Sequence, residues 1–424
     1  MRFSHSIMTL SAAFLVCASA TAEPVPAEPA LAVQTTLKQL IDQALTRSPA
    51  VQAKRRAYEA ARARVIAAWL PDDPEAGVDV EGQSDLFDHG SRANREYMVS
   101  QAIPFPTTLL LRGQAASREA QMAYQQYREA QRDAIWHIEQ PYYELFMTKK
   151  TLGAMEEVRS LLERLGRSVQ AKYETNQASQ QDVLKAQIEL AKAQIELVRL
   201  REQEHLAEAH FSHLLDQSLF TRYELPEEPV SPPLSSELPE LERLAIESKP
   251  ELLAMAEGIR RAKTNRLLAY TSWLPNLTGR IEGRQFPGEG SVREWDNFVG
   301  VTVPVWSLLK GASGEWKAAH KDVRQAEALY TEMKNEVLLD VHEAYAKVSV
   351  AGYALQQYEQ AILPQARQQV QVALAAFEAG RADFLELIDA QRMLRDAEIA
   401  YATQRAEYER GLADVRFAVG GPIS

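Results

Sequence analysis

The sequence predicts a mainly α-helical protein with a small β part, written as two copies of one unit. Three observations predict it. Proline is absent between Pro141 and Pro226, between Pro304 and Pro364, and from there to Pro422, and these spans are rich in Ala, Glu, Gln, Lys, Arg and Leu, the strong helix formers. Between them, short segments alternate apolar and polar at period two, as a strand with two unlike faces does. Landmarks also recur about two hundred residues apart: Ser48-Pro49 and Lys249-Pro250, Trp69-Leu70-Pro71 and Trp273-Leu274-Pro275, Ile103-Pro104 and Val303-Pro304, Tyr173–Asn176 and Phe377–Gly380. The last register runs without a gap to Ala186-Gln187 against Ala390-Gln391. A period this long describes a large unit used twice, because solenoid repeats span a few tens of residues.

Residues 1–22 read as a secretion signal. Arg2 is the basic start, Ile7 to Ala18 the apolar run, and Ala18-Ser19-Ala20 and Ala20-Thr21-Ala22 the small-residue cleavage sites. Cleavage is expected after Ala22. The one cysteine, Cys17, lies inside this segment. Val16 before it is bulky where a lipidation motif takes a small residue, so acylation is not expected. A mature chain without thiols has no disulfide and no thiolate metal site. Residues 23–36, with Pro24, Pro26 and Pro29, read as an extended leader. The first repeat then covers 37–224 and the second 240–420. The linker 225–239 holds Pro226, Pro229, Pro232, Pro233 and Pro239, which rules out a regular helix there.

Within the first repeat, a helix from about Thr107 to Gly166 would be roughly 90 Å long at 1.5 Å per residue, and Pro141 is expected to interrupt and kink it. Lys185–Ala191 is followed by its near-copy Lys192–Val198. This seven-residue repeat implies left-handed supercoiling, with Lys185–Glu189 and Lys192–Glu196 spaced to pair at i,i+4.

Leu277 to Arg284 alternates strictly, with Leu, Gly, Ile, Gly on one face and Thr, Arg, Glu, Arg on the other. Asn297 to Val305 places Val299, Val301, Val303 and Val305 on one face. A strand pair is therefore expected near 276–286 and 296–305, and its first-copy counterpart near 76–84 and 96–104. Pro287–Gly290 and Asp85–Arg95 are the polar loops between paired strands.

These lengths suit tilted transmembrane strands of roughly 9–11 residues, with Ile281, Val299, Val301 and Val303 toward lipid. A half-exposed hairpin in water shows the same alternation. If the strands lie in a membrane, four cannot close a barrel and an open edge is not viable in lipid. Several chains must then share one barrel, and three chains supplying twelve strands is the economical solution.

The formal net charge is −11, and Arg2 is the only charged residue of the signal, so the mature chain stands at −12. No basic stripe is present for a nucleic acid. No mature segment has some eighteen consecutive apolar residues, so no transmembrane helix is expected. The sequence lacks G-x-S-x-G, H-E-x-x-H and a phosphate loop, and neither an enzyme nor a cofactor is expected. His210 and His213 share a helix face at i,i+3 near His205. Zinc would need a third ligand and supporting partners, so a solvated helix face is expected and no metal site.

Signal segment, long helices, paired strands and duplication together resemble the TolC-type outer-membrane efflux family. The resemblance runs from about Leu37 to Gly420. Its sharpest elements are Tyr173–Asn176 leading into Asp182–Gln187, and Phe377–Gly380 leading into Glu386–Gln391. Val99–Pro106 looks like the strand-to-helix turn of members serving heavy-metal efflux.

The resemblance implies a homotrimer with a shared twelve-stranded barrel in outer-membrane lipid and a long coiled-coil α-barrel crossing the periplasm. Its partners would be a periplasmic adaptor and an inner-membrane RND-type pump, and its task passive export of metal cations or small toxic compounds. The mouth that docks a partner would comprise Asn176, Gln177, Ala178 and Asp182 on one tip and Gly380, Arg381 and Ala382 on the other. Glu386 and Asp389, one turn apart on one face, would form two acidic rings at the narrowest point. On composition alone they suit a solvated acidic face.

The chain departs from the family at the latch, where a tyrosine before the glycine and an arginine two residues after it help close the tips. Phe377 replaces that tyrosine, and Ala382 fills the arginine's place. Asp182 is left as an available acceptor. A periplasmic adaptor would carry one helical hairpin in a lipoyl-like β-domain, and a coiled-coil structural protein would lack alternating strands at matched places.

Overall fold

The computed structural model describes residues 33–34, 36–81, 94–175, 179–218, 221–224, 231–379, 381–382 and 384–421. The expected signal with Cys17, and the expected leader apart from its last residues, lie outside them. In chain order the elements are β1 (Val33–Gln34), α1 (Leu37–Arg47), α2 (Pro49–Ala68), β2 (Glu75–Glu81), β3 (Asn94–Ile103), α3 (Pro106–Glu174), α4 (Gln180–Leu214) and β4 (Tyr223–Glu224). Then follow α5 (Leu238–Ser248), α6 (Pro250–Tyr270), β5 (Asn276–Gln285), β6 (Glu294–Thr302), α7 (Val305–Lys310), α8 (Trp316–Gln357), α9 (Leu363–Glu378) and α10 (Phe384–Val419).

Each copy opens on two helices split at a proline. Thr36 starts α1 with a capping box: its hydroxyl accepts from the Gln39 N–H at 3.4 Å, and the Gln39 side chain accepts from the Thr36 N–H at 3.0 Å. Pro49 and Pro250 then begin α2 and α6, where the missing N–H is one that a helix leaves unused. The same rule corrects one expectation. α5 starts within the 225–239 stretch, with Leu238 and Pro239 in its first turn.

The end of the expected leader is held in place. Val33 and Gln34 pair in parallel with Tyr223 and Glu224. Tyr223 is a fixed partner because its N–H donates to Glu208 at 3.1 Å, its hydroxyl donates to Gln217 at 3.0 Å, and its carbonyl accepts from Lys149.

α3 runs unbroken through Pro141 for 69 residues, about 100 Å at 1.5 Å per residue, so the expected interruption does not occur. The second copy differs. Gly311–Glu315 and Tyr358–Ile362 wind as π-helix. The second of these precedes Pro364, whose ring would crowd the carbonyl four residues back in an α-turn. The wider turn, closed by the Leu363 N–H on the Tyr358 carbonyl, gives that ring room.

Apolar clusters hold the helices, and two of them meet on α10. Leu40, Ile138, Tyr143, Leu145 and Phe211 form one with Ala406 and Ala413 of α10. Leu241, Leu252, Val341 and Val348 form another with Leu412 and Val415 of the same helix, so α10 joins both copies. Each fully buried large side chain here contributes about 1.5–3 kcal/mol. The approach of α8 to α10 depends on Gly411, where a Cβ would lie 2.7 Å from Val348 Cγ2. Charge is buried beside these clusters. Arg416 donates to Glu139 at 2.7 Å, and Glu409 accepts from the Ser231 N–H at 3.0 Å. Burial pushes the Glu139 carboxyl up, against the pull of Arg416.

A half-buried acid makes stability depend on pH. Glu129 of α3 hydrogen-bonds Glu251 in the first turn of α6. Burial first, then that bond, push the Glu129 carboxyl up to about 8. Asp133 acts in the same direction and Lys249 opposes it. A folded pKa above the unfolded one stabilises below the unfolded pKa, and that contribution fades as pH rises through the folded one. Thermal unfolding in detergent should therefore show Glu129→Gln gaining on the parent between pH 5 and pH 9. Parallel pH curves for the two proteins would refute this.

The four longer strands form one antiparallel sheet in the order β2-β3-β5-β6, so the hairpins of the two copies join through β3 and β5. β5 and β6 are linked by a turn in which Gly288 takes a φ of +84° and the Glu289 N–H donates to the Phe286 carbonyl at 3.2 Å, a conformation that suits glycine. β6 ends at Thr302 and not at Val305. Pro304 has no N–H for the ladder, and Val305 already begins α7.

Candidate functional site

The sheet has one apolar and one charged face, fixed by register. Val99 pairs with Ile281, Ile103 with Leu277, Leu277 with Val301, and Gly279 with Val299. Directly paired residues point to the same side, so these side chains share a face with Val78 and Tyr97. Ile281, Val299 and Val301 are all exposed in the single chain, Val299 at 83%. Val303, just past the end of β6, is exposed too.

On the opposite face, Ser100 pairs with Arg280, Glu96 with Arg284, and Glu282 with Asp296. Arg280 meets Glu282 at 2.6 Å, and Arg284 meets Glu96 at 3.3 Å and Asp296 at 3.6 Å. Phe298 falls among these charges, and Arg280 lies 5.1 Å over its ring. β2 and β6 are the sheet's two edges.

The first helical hairpin ends where Thr175 closes α3, its hydroxyl donating to the Lys172 carbonyl at 3.0 Å. Ser179 opens α4 with a second capping box: its hydroxyl accepts from the Asp182 N–H at 3.3 Å, and the Asp182 carboxylate accepts from the Ser179 N–H at 3.1 Å and hydroxyl at 2.7 Å. Asp182 is thus engaged within its own tip. Asn176, Gln177, Ala178 and Gly380 lie outside the described residues. On the second tip, the Arg381 N–H donates to the Ala376 carbonyl at 2.8 Å, as in a Schellman cap, and the Ala382 N–H reaches the same carbonyl at 3.2 Å.

α10 then presents two faces. Leu387 and Ile388 are buried with Leu162, Val169, Ala186, Leu197 and Phe377, while Glu386 and Asp389 are exposed. The i,i+3 spacing puts the two acids on one side of the helix. Phe377 packs into the hairpin core, and the Lys172 ammonium stands 3.8 Å from its ring centroid, a cation–π contact between the two hairpins.

A charged network adjoins the acids. Arg392 reaches Asp389 at 3.4 Å through Nη1 and Glu189 of α4 at 2.5 Å through Nη2, and Glu189 also meets Lys192 at 3.1 Å. The expected Lys185–Glu189 and Lys192–Glu196 pairs give way to these contacts and to Glu196–Arg199, because Glu189 is turned toward α10. Burial pushes the Glu189 carboxyl up, but its bonds to Lys192 and Arg392 outweigh this and hold it below the usual range.

Sequence reasoning missed Lys172 and Arg392 and gave Glu189 a different partner. One signal was available: Arg392 stands where the first copy has Ile188, at the residue after the matched Ala-Gln.

His210 and His213 are exposed on α4. Among the described residues no group of three His, Cys, Asp or Glu is placed to hold a metal ion, and no helix is long and apolar enough to cross a membrane.

The family model described as outer membrane efflux protein matches residues 40–215 and 241–421. The outer membrane protein TolC of Vibrio cholerae is 25% identical over 366 residues, which cover 80% of this chain and 77% of that protein. The cobalt-zinc-cadmium resistance protein CzcC of Cupriavidus metallidurans is 27% identical over 172 residues, 38% of each chain. Among solved structures, the outer membrane protein VceC of Vibrio cholerae shares the fold at a TM-score of 0.76 and 16% identity, over 92% of this chain and 97% of that one.

Proposed function

The chain belongs to the outer membrane efflux protein family and is an outer-membrane channel of that kind; from this premise we propose that three copies share one twelve-stranded barrel and form the exit duct of a tripartite efflux pump. The observation that carries the reading is the sheet: four strands, two unpaired edges, an apolar face and a charged face. Unpaired N–H and C=O groups find no partner in hydrocarbon, whereas the edge of a neighbouring copy satisfies them. The apolar face with Ile281, Val299, Val301 and Val303 meets lipid. The charged face with Arg280, Glu282 and Arg284 lines a wet lumen.

The helices, about 100 Å long in α3, form the periplasmic shaft. Its tips at Asn176–Ala178, Asp182 and Gly380–Ala382 dock a periplasmic adaptor and an inner-membrane RND-type pump. The pump supplies the energy, and the duct is passive. The signal at 1–22 is removed on export, and Cys17 with it.

Two features favour metal cations as cargo: the similarity to a cobalt-zinc-cadmium resistance protein, and the acids Glu386 and Asp389, which a threefold axis would stack as two rings. Rings of carboxylates favour cations in a narrow pore.

The test is extraction and mass. The mature protein should leave the outer-membrane fraction only with detergent and then weigh as a trimer. A soluble monomer in the periplasm would end the reading.

A further inference from the structure

Glu386 and Asp389 are chemically alike and one turn apart, yet their surroundings differ. Among the described residues Glu386 makes no ion pair. Asp389 is met by Arg392 at 3.4 Å, and the other arm of the same guanidinium is held at 2.5 Å by Glu189 of the first hairpin. Glu189 is in turn fixed by Lys192 at 3.1 Å and is mostly buried. The planar fork of arginine suits this double role, because its two arms engage two carboxylates in one fixed geometry while lysine offers a single point charge.

We propose that Arg392 is a specificity-determining residue of the constriction: anchored on Glu189, it positions and neutralises Asp389 and leaves the cation preference to Glu386. This rests on the acidic-constriction reading and deepens it. Two acids per chain with one counter-charge give a net of one negative charge per chain at the constriction. The duct then attracts cations without binding them so strongly that they stall, as conduction requires. The duplication marks the device as particular to the second hairpin, since the first copy has Ile188 at this place and Lys185 at the place of Asp389.

Reversal potentials of the full-length protein in planar bilayers under a potassium chloride gradient test this. Arg392→Gln should raise the potassium-to-chloride permeability ratio severalfold. Asp389→Asn alone, which leaves Glu386 and Arg392 to cancel, should lower the ratio, and adding Arg392→Gln to it should return the ratio to that of the parent, a compensation that a merely structural role would not produce. Arg392→Met keeps the apolar stem and gives the same readout if the glutamine variant does not assemble. If Arg392→Gln leaves the ratio unchanged while Glu386→Gln lowers it, the role of Arg392 is overturned and the acidic constriction stands. If the paired change Glu386→Gln with Asp389→Asn also leaves the ratio unchanged, both fall.

Discussion

Arginine in place of Val301 should stop the chain from entering the outer membrane, the largest single-residue effect expected here. Val301 sits on β6 opposite Leu277, in the apolar row that includes Ile281 and Val299. In the proposed barrel this row faces hydrocarbon, where an arginine near the midplane destabilises by about 2–4 kcal/mol per chain. Three copies carry the change at once, so the assembly is penalised three times over. Ile281→Arg should behave alike. Arg280→Ala and Glu282→Ala serve as controls, because their 2.6 Å pair lies on the charged face, where water replaces what is lost. The measurement is the yield of folded trimer in the outer-membrane fraction. Equal tolerance at all four positions would mean that neither face meets lipid.

The second large effect is expected from removing both acids of the constriction. Glu386→Ala with Asp389→Ala should weaken cation selectivity in bilayer conductance and relieve block by multivalent cations. Assembly should survive, since both side chains are exposed while Leu387 and Ile388 between them make the core contacts. Glu378→Ala, before the tip, should matter less. Unchanged selectivity and block would leave the acids as a solvated face.

How far the sequence could be read depended on whether a feature repeats along one element or arises between two. The long helices and the four strands were legible, because each writes its own period: β5 alternates strictly, and α4 carries a seven-residue repeat. The union of the two copies through β3 and β5 was not, since alternation assigns faces and is silent about partners. The two π-helical turns leave no mark in hydrophobic spacing. Pro141 misled because the rule for an isolated helix ignores neighbours, and Tyr142, Tyr143 and Leu145 pack into a core just beyond it. At the tips the acids stood out as a pair on one face. The Arg392–Glu189 contact did not, because it depends on how α10 is rotated against α4. Phe377 looked like the loss of a hydroxyl; in the fold it is a buried ring under the Lys172 ammonium.

The β3–β5 pairing has a consequence in time. Val99 and Ile281 are neighbours in the sheet but about 180 residues apart along the chain. An exported chain is threaded out from its N-terminus, so the first hairpin must wait, edge exposed, until the whole first shaft and α6 have followed. Contacts of such long sequence separation form slowly, since the closure entropy of the intervening loop is lost before any ladder bond is gained. During that interval β3 is an unpaired edge of the kind that recruits foreign strands. Arg95 and Glu96 at its start give it charge, the usual guard against such pairing. In the proposed assembly, closure of the sheet waits for its second half, and a chain stalled between α4 and β5 would carry β3 as an open edge.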